Sequence, residues 1–138
     1  MNTEHYTRLL QKYFQAFEAK DLEAITALFS PKITLQDPFV GLVEGYQAVR
    51  KLYQQMFEVN SFSLRLGRCY SNKDGAAYEF HLEVTQLSDG KTQKLSGVDC
   101  FEFTAEVTGL QDREIQEPTA QQEQPGQIRS IRAYLDLL

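Results

Sequence analysis

From the N-terminus, Tyr6, Leu9, Leu10, Tyr13, Phe14 and Phe17 recur at intervals of three and four residues, the spacing that lines up one face of an α-helix. The pattern predicts a helix over 3–19, with Thr3 at its start and Lys20-Asp21 at its end. Asp21 is then placed to cap a second helix, with Glu23 in its first turn and Leu22, Ile25, Leu28 and Phe29 as its apolar stripe. Ser30-Pro31 stops that helix, and a short strand is expected over 33–36. Gly45 opens a third helix, in which Val49, Leu52, Tyr53, Met56 and Phe57 share one face, and Asn60 closes it.

Beyond Asn60 the apolar period drops to two. Phe62, Leu64, Leu66 and Tyr70 alternate with polar residues, and Asn72-Lys73-Asp74-Gly75 carries the residues of a hairpin turn. Tyr78, Phe80, Leu82 and Val84 give the inward face of a second long strand, which ends in the turn Ser88-Asp89-Gly90. A third strand sets Leu95, Gly97, Asp99, Phe101 and Phe103 on one face and Ser96, Val98, Cys100, Glu102 and Thr104 on the other. Residues 105–127 shift to Gln, Glu, Thr, Pro and Gly, a long polar excursion between paired strands. The last strand, over 128–137, alternates Ile131, Ala133 and Leu135 against Arg132, Tyr134 and Asp136. Helices gathered first and an antiparallel meander after them define an α+β domain, a curved sheet wrapped over three N-terminal helices. Such a sheet encloses a pocket.

Composition narrows the function. A chain of 138 residues is one domain, 1–138, with enough apolar residues (42%) to build a core. A net charge of -5 leaves no basic stripe for phosphates and argues against nucleic-acid binding. Cys69 and Cys100 form no CxxC pair and read as small hydrophobes. The polar N-terminus and the absence of a long apolar run predict neither a signal peptide nor a membrane span, so a cytoplasmic location is expected. No glycine-rich phosphate loop, nucleophile elbow or metal-ligand spacing is present, so no cofactor and no metal is expected. His5 lies near the chain end, and His81 shares an outward face with Glu79 and Glu83.

Polar residues on apolar faces carry the candidate chemistry. Asp37 sits in Thr34-Leu35-Gln36-Asp37-Pro38-Phe39-Val40-Gly41. Pro38 biases Asp37 toward extended geometry, so the backbone sets the direction of its carboxylate. That residue reads either as a catalytic base among apolar neighbours or as an ordinary turn residue. Asp99 shares its face with Leu95, Phe101 and Phe103. An acid there is costly to ionise and tends to stay protonated, a hydrogen-bond donor in an apolar wall. The alternative is a bulge at Gly97 that turns Asp99 outward. Tyr13 and Tyr53 lie on the buried stripes of the first and third helices.

These residues also carry a resemblance. Tyr13, then Asp21-Leu22-Glu23-Ala24-Ile25, Leu35-Gln36-Asp37-Pro38-Phe39, Gly45 and Leu52-Tyr53, followed by Val98-Asp99-Cys100-Phe101-Glu102-Phe103 and by 128–134, resemble ketosteroid isomerase. That enzyme belongs to the nuclear-transport-factor-2-like superfamily, which also holds the SnoaL-type polyketide cyclases. The likeness spans nearly the whole chain except 105–127. It implies a cystatin-like, cone-shaped antiparallel sheet wrapped around the helices. It further implies Tyr13 as oxyanion-binding tyrosine, Asp37 as general base and Asp99 as protonated acid, with Tyr53 supporting Tyr13. The ligand-facing set becomes Tyr53, Phe80, Phe29, Phe39, Phe101 and Leu135. Phe29 stands where some members have a further tyrosine, and Leu135 replaces a pocket tryptophan. The implied activity is proton transfer next to a carbonyl in a small hydrophobic ketone. A SnoaL-type cyclase or dehydratase, or a non-catalytic ligand-binding or dimerisation module, are the alternatives, and the resemblance implies a homodimer.

Overall fold

The computed structural model describes residues 3–104 and 126–137. In chain order the elements are α1 (Thr3–Ala19), α2 (Leu22–Thr26), β1 (Phe29–Asp37), β2 (Gly41–Glu44), α3 (Tyr46–Val59), β3 (Asn60–Ser71), β4 (Gly75–Gln86), β5 (Thr92–Phe103) and β6 (Ile128–Leu137). The described strands form one curved, open sheet in the order β2-β1-β6-β5-β4-β3. The α+β class and the helices gathered ahead of the long strands agree with the periodicity. The expected excursion lies outside the described residues except at its end. There Thr104 N–H donates to Gln127 O (2.9 Å) and Gln127 N–H donates to Thr104 Oγ1 (2.9 Å), pinning β5 and β6 together at its neck.

Three local features depart from the periodic reading. First, α2 ends at Thr26, and Phe29, expected on its stripe, begins β1. Pro31 therefore lies within a strand, but between Phe29 and Thr34 the β1–β6 pairing is irregular. That is where a residue without an N–H is tolerated. Second, 41–44 forms a strand that the sequence reading missed; β2 returns on β1 through the Asp37–Gly41 pair. The sheet is also not wholly antiparallel, because β1 runs parallel to β6. Third, Leu66 pairs with Phe80 but Cys69 pairs with Tyr78. Two residues, Gly67 and Arg68, thus oppose the single residue Glu79, which is a β-bulge. The bulge shifts the alternation, so Cys69 rather than Tyr70 turns inward and Tyr70 is 57% exposed.

No such shift occurs at Gly97. The β4–β5 register runs unbroken through Phe80↔Gly97 and Tyr78↔Asp99, so Asp99 faces inward. A Cβ at Gly97 would stand 2.4 Å from Tyr134 O and 2.8 Å from a Leu135 methyl, so only glycine fits this close strand approach. The inner face packs against α1 and α3. Leu10, Ile25, Ile33, Val49, Tyr53, Phe101, Ile128 and Ile131 are buried there. The end of α1 is fixed by Lys20 in left-handed geometry (φ 57°), and its Nζ donates to Asn60 O (3.0 Å) where α3 passes into β3.

Candidate functional site

Sheet register explains where the polar groups meet. On the inner face, Cys69, Tyr78, Asp99 and Ala133 are neighbours across β3, β4, β5 and β6. The parallel pair Gln36↔Arg132, continued by one residue, brings Asp37 beside Ala133 on the other side. Asp99 and Asp37 therefore flank Ala133 in one transverse row, two strand spacings or about 10 Å apart at Cα. A small alanine between them leaves the floor open.

Each group is held differently. Asp37 ends β1, and its Oδ1 accepts from the backbone N–H groups of Phe39 (2.6 Å) and Val40 (3.1 Å). This is an Asx turn, in which one carboxylate oxygen is fixed by the backbone. Among the described residues Oδ2 has no hydrogen-bond partner, and Asp37 is half-buried. Asp99 is 8% exposed. Burial, and then the negative charge of Asp37, push its carboxyl up from 3.8 to about 7. No hydrogen bond ties Asp99 to another described residue, and no fully buried side-chain polar atom lacks a partner there, so its carboxyl opens onto the cavity. A half-buried carboxyl held by the backbone thus stands across Ala133 from one that burial holds toward its protonated form.

Tyr13 descends from α1 and Tyr53 from α3. Their hydroxyls meet at 2.6 Å, and their rings cross at 89°. Burial raises Tyr13 well above the usual phenol value, with Tyr53 and Asp99 adding to it. Burial likewise raises Tyr53, with the Tyr13 hydrogen bond opposing and the two aspartates adding. Both phenols therefore remain neutral donors, and rotation of either hydroxyl lets one donate to its neighbour while the other donates into the cavity.

Tyr13, Asp37, Tyr53 and Asp99 open onto a cavity of about 360 Å³, whose wall includes Phe17, Leu52, Met56, Phe62, Leu64, Phe80, Leu82, Leu95 and Leu135. Its size suits a small ligand. Phe39 and Val40 form part of its lining yet are 62% and 49% exposed, which sets them at the rim. Of the residues read from sequence, Tyr13, Asp37, Asp99, Tyr53, Phe80, Phe39 and Leu135 meet around this space. Phe29 and Phe101 do not reach it. They are buried behind the tyrosines, Phe29 at 5.6 Å from the Tyr53 ring and Phe101 at 5.2 Å from the Tyr13 ring. Asn60, Gln93 and Ala133 also line the cavity and were missed. Gln93 shares the parity of Leu95 and Asp99, so the alternation that singled out Asp99 held the signal for Gln93 as well. His81, Glu79 and Glu83 are exposed on the outer face. Among the described residues no group of three or more His, Cys, Asp or Glu is arranged to hold a metal ion, and no helix is long and apolar enough to cross a membrane.

An open curved sheet over N-terminal helices, with an apolar cavity and acids along one row of its floor, defines a domain of the nuclear-transport-factor-2-like fold. The model of the SnoaL-like domain family matches residues 10–107, and the chain belongs to that family. Similar solved structures agree on the fold. The epoxide hydrolase/cyclase-like enzyme SalBIII, which acts in pyran ring formation in the polyether salinomycin, superposes with a TM-score of 0.75 at 19% identity, over 99% of this chain and 98% of that one. A putative isomerase from Bacillus subtilis gives 0.74 at 17% identity, over 99% and 90%. A Mycobacterium tuberculosis protein in complex with estradiol-17beta-hemisuccinate gives 0.68 at 17% identity, over 93% and 91%.

Proposed function

We propose that this protein catalyses proton transfer next to a carbonyl in a small hydrophobic ketone, in the manner of a ketosteroid isomerase. The observation that carries the reading is the pairing of a backbone-held carboxylate with a buried acid raised to about 7 in one apolar cavity. Asp37 Oδ2 removes the α-proton, and the electron pair of that C–H bond moves into an enolate. The enolate oxygen accepts hydrogen bonds from Tyr13 O–H and from protonated Asp99, donors whose neutral forms burial favours. Asp37 then returns the proton to a different carbon, and the carbonyl re-forms. The test is deuterium uptake from heavy water into a bound enolisable ketone, expected to exceed the rate in buffer alone. A ligand that binds tightly without exchange would assign the cavity a binding role instead.

A second reading is favoured by the full-length likeness to the epoxide hydrolase/cyclase-like enzyme together with the two acids set across Ala133. In that chemistry Asp99 gives its proton to an epoxide oxygen while Asp37 takes one from an attacking hydroxyl, and the C–O bond that breaks is replaced by the one that forms. Turnover of a hydroxy-epoxide without exchange in any ketone would select it.

A further inference from the structure

The polar groups of the cavity fall into two separated sets. Tyr13, Asp37, Tyr53 and Asp99 mark one end, and Asn60 and Gln93 mark the other. Along β5, Asp99 and Gln93 point to the same side six residues apart, about 20 Å between Cα atoms at strand rise. Along α3, Tyr53 and its closing residue Asn60 are seven residues apart, about 10 Å at helix rise. The wall between is apolar, with Met56, Phe62, Leu82 and Leu95 among its residues. Phe62 and Val84 share the row of Gln93 across the sheet, so the two amides are the first polar groups met beyond that wall.

The two amides are complementary. Asn60 Nδ2 donates to Met56 O at 3.2 Å, which leaves Asn60 Oδ1 to accept. Gln93 makes no side-chain hydrogen bond among the described residues and keeps its Nε2 donors. We infer that Asn60 and Gln93 bind a hydroxyl at the far end of the ligand, across the apolar wall from Tyr13 and Asp99. That hydroxyl donates to Asn60 Oδ1 and accepts from Gln93 Nε2. A far-end carbonyl satisfies only Gln93, and a far end without oxygen satisfies neither. This rests on the proposed placing of the other ligand oxygen at Tyr13 and Asp99.

Calorimetric titration with three phenols tests it: estradiol, estrone, and the analogue lacking their second oxygen. Estradiol is expected to bind about five- to tenfold more tightly than that analogue, the worth of two hydrogen bonds at an exposed rim, with estrone between them. Gln93→Leu should bring estrone to within about twofold of the analogue and leave estradiol only the preference that Asn60 gives, about two- to threefold or one hydrogen bond's worth at the rim, with the analogue's own affinity unchanged. Gln93 is exposed at the rim, so this variant tests recognition rather than folding. Equal affinities in the unaltered protein, or an estrone preference that survives Gln93→Leu, would overturn the inference. Tyr13→Phe reads the opposite end. It should weaken all three phenols alike, and unchanged affinities there would count against the proton-transfer site and not against the far-end hydroxyl.

Discussion

The inner face of the sheet has a packed end and a hollow end, built from the same strands and the same kinds of residue. At the packed end Ala76, Phe101, Ile131 and Leu35 form one row, with Phe101 2% and Ile131 1% exposed, and of the four only Leu35 and Ile131 border the cavity. At the hollow end Phe80, Leu82 and Leu95 form a separate cluster, reached from α1 by Phe17 and otherwise facing the cavity. The cavity exists because an apolar surface is left uncovered, not because polar residues replace apolar ones. The row of Asp99, Ala133 and Asp37 lies where one end gives way to the other. Packing on one side raises Asp99, and the opening on the other gives a ligand access to it. A carboxyl deeper in the core would be inaccessible, and one nearer the rim would ionise in the ordinary way.

The largest expected effect lies on the hollow side. Asp37→Asn keeps an oxygen that can accept from Phe39 and Val40 N–H, so the turn and the fold should survive. It removes the base. Turnover of an enolisable ketone should fall by about a thousandfold or more, at the upper part of the range for a general base, with the melting temperature little changed. Full turnover in this variant would rule Asp37 out.

How far this division was legible in the sequence depended on which signal each end left. Alternation along β5 placed Asp99 inward because no bulge interrupts it, and helical spacing placed Tyr13 and Tyr53. The same alternation failed in β3, where the bulge at Gly67-Arg68 exchanges Tyr70 for Cys69; its cause is a two-to-one pairing with Glu79, a long-range contact. Strand β2 was missed for a related reason. Its residues Gly41–Glu44 are a strand only because they pair back onto β1. Nor does periodicity sort Phe29 and Phe101 from the cavity wall, because it separates inward from outward but not packed from hollow. That distinction depends on how far α1 and α3 extend over the sheet.

Substitution on each side should therefore cost different amounts. Phe101→Ala removes a ring wedged edge-on against Tyr13 (5.2 Å) and Phe14 (5.8 Å), and should cost about 3–5 kcal/mol by chemical denaturation. Leu82→Ala removes a side chain that already borders open space, and should cost about 1–2 kcal/mol, since few packing partners are lost. Equal costs would mean that the cavity closes in solution.

At the boundary, Asp99 should make stability depend on pH. Its carboxyl is raised from 3.8 to about 7, so the fold favours the protonated form. The stability this contributes is complete below 3.8, declines as pH rises, and is gone above about 7. Asp99→Asn does not titrate, so it should gain on the unaltered protein across that window, by on the order of 2–4 kcal/mol. The kcat/KM of the unaltered protein should fall above about 7 as the donor is lost, and in Asp99→Asn that fall should disappear. A flat stability difference between the two proteins from acid to neutral pH would place Asp99 in water.

The smallest effect separates the two phenols. If Tyr53 donates to Tyr13, then Tyr13 turns its own proton toward the ligand, and Tyr53 acts only by holding that geometry across 2.6 Å. Tyr53→Phe should then cost one neutral hydrogen bond, about 1 kcal/mol, and lower kcat about five- to tenfold with KM little changed. Tyr13→Phe removes the oxyanion donor itself and should cost about a hundred- to thousandfold. The reverse ranking would mean that the pair runs the other way, with Tyr53 facing the ligand from α3 and Tyr13 supporting it from the packed side. Because the two hydroxyls form one hydrogen bond, the double variant should lose little more than the worse of the two single ones. Additive losses would show that each phenol meets the ligand independently.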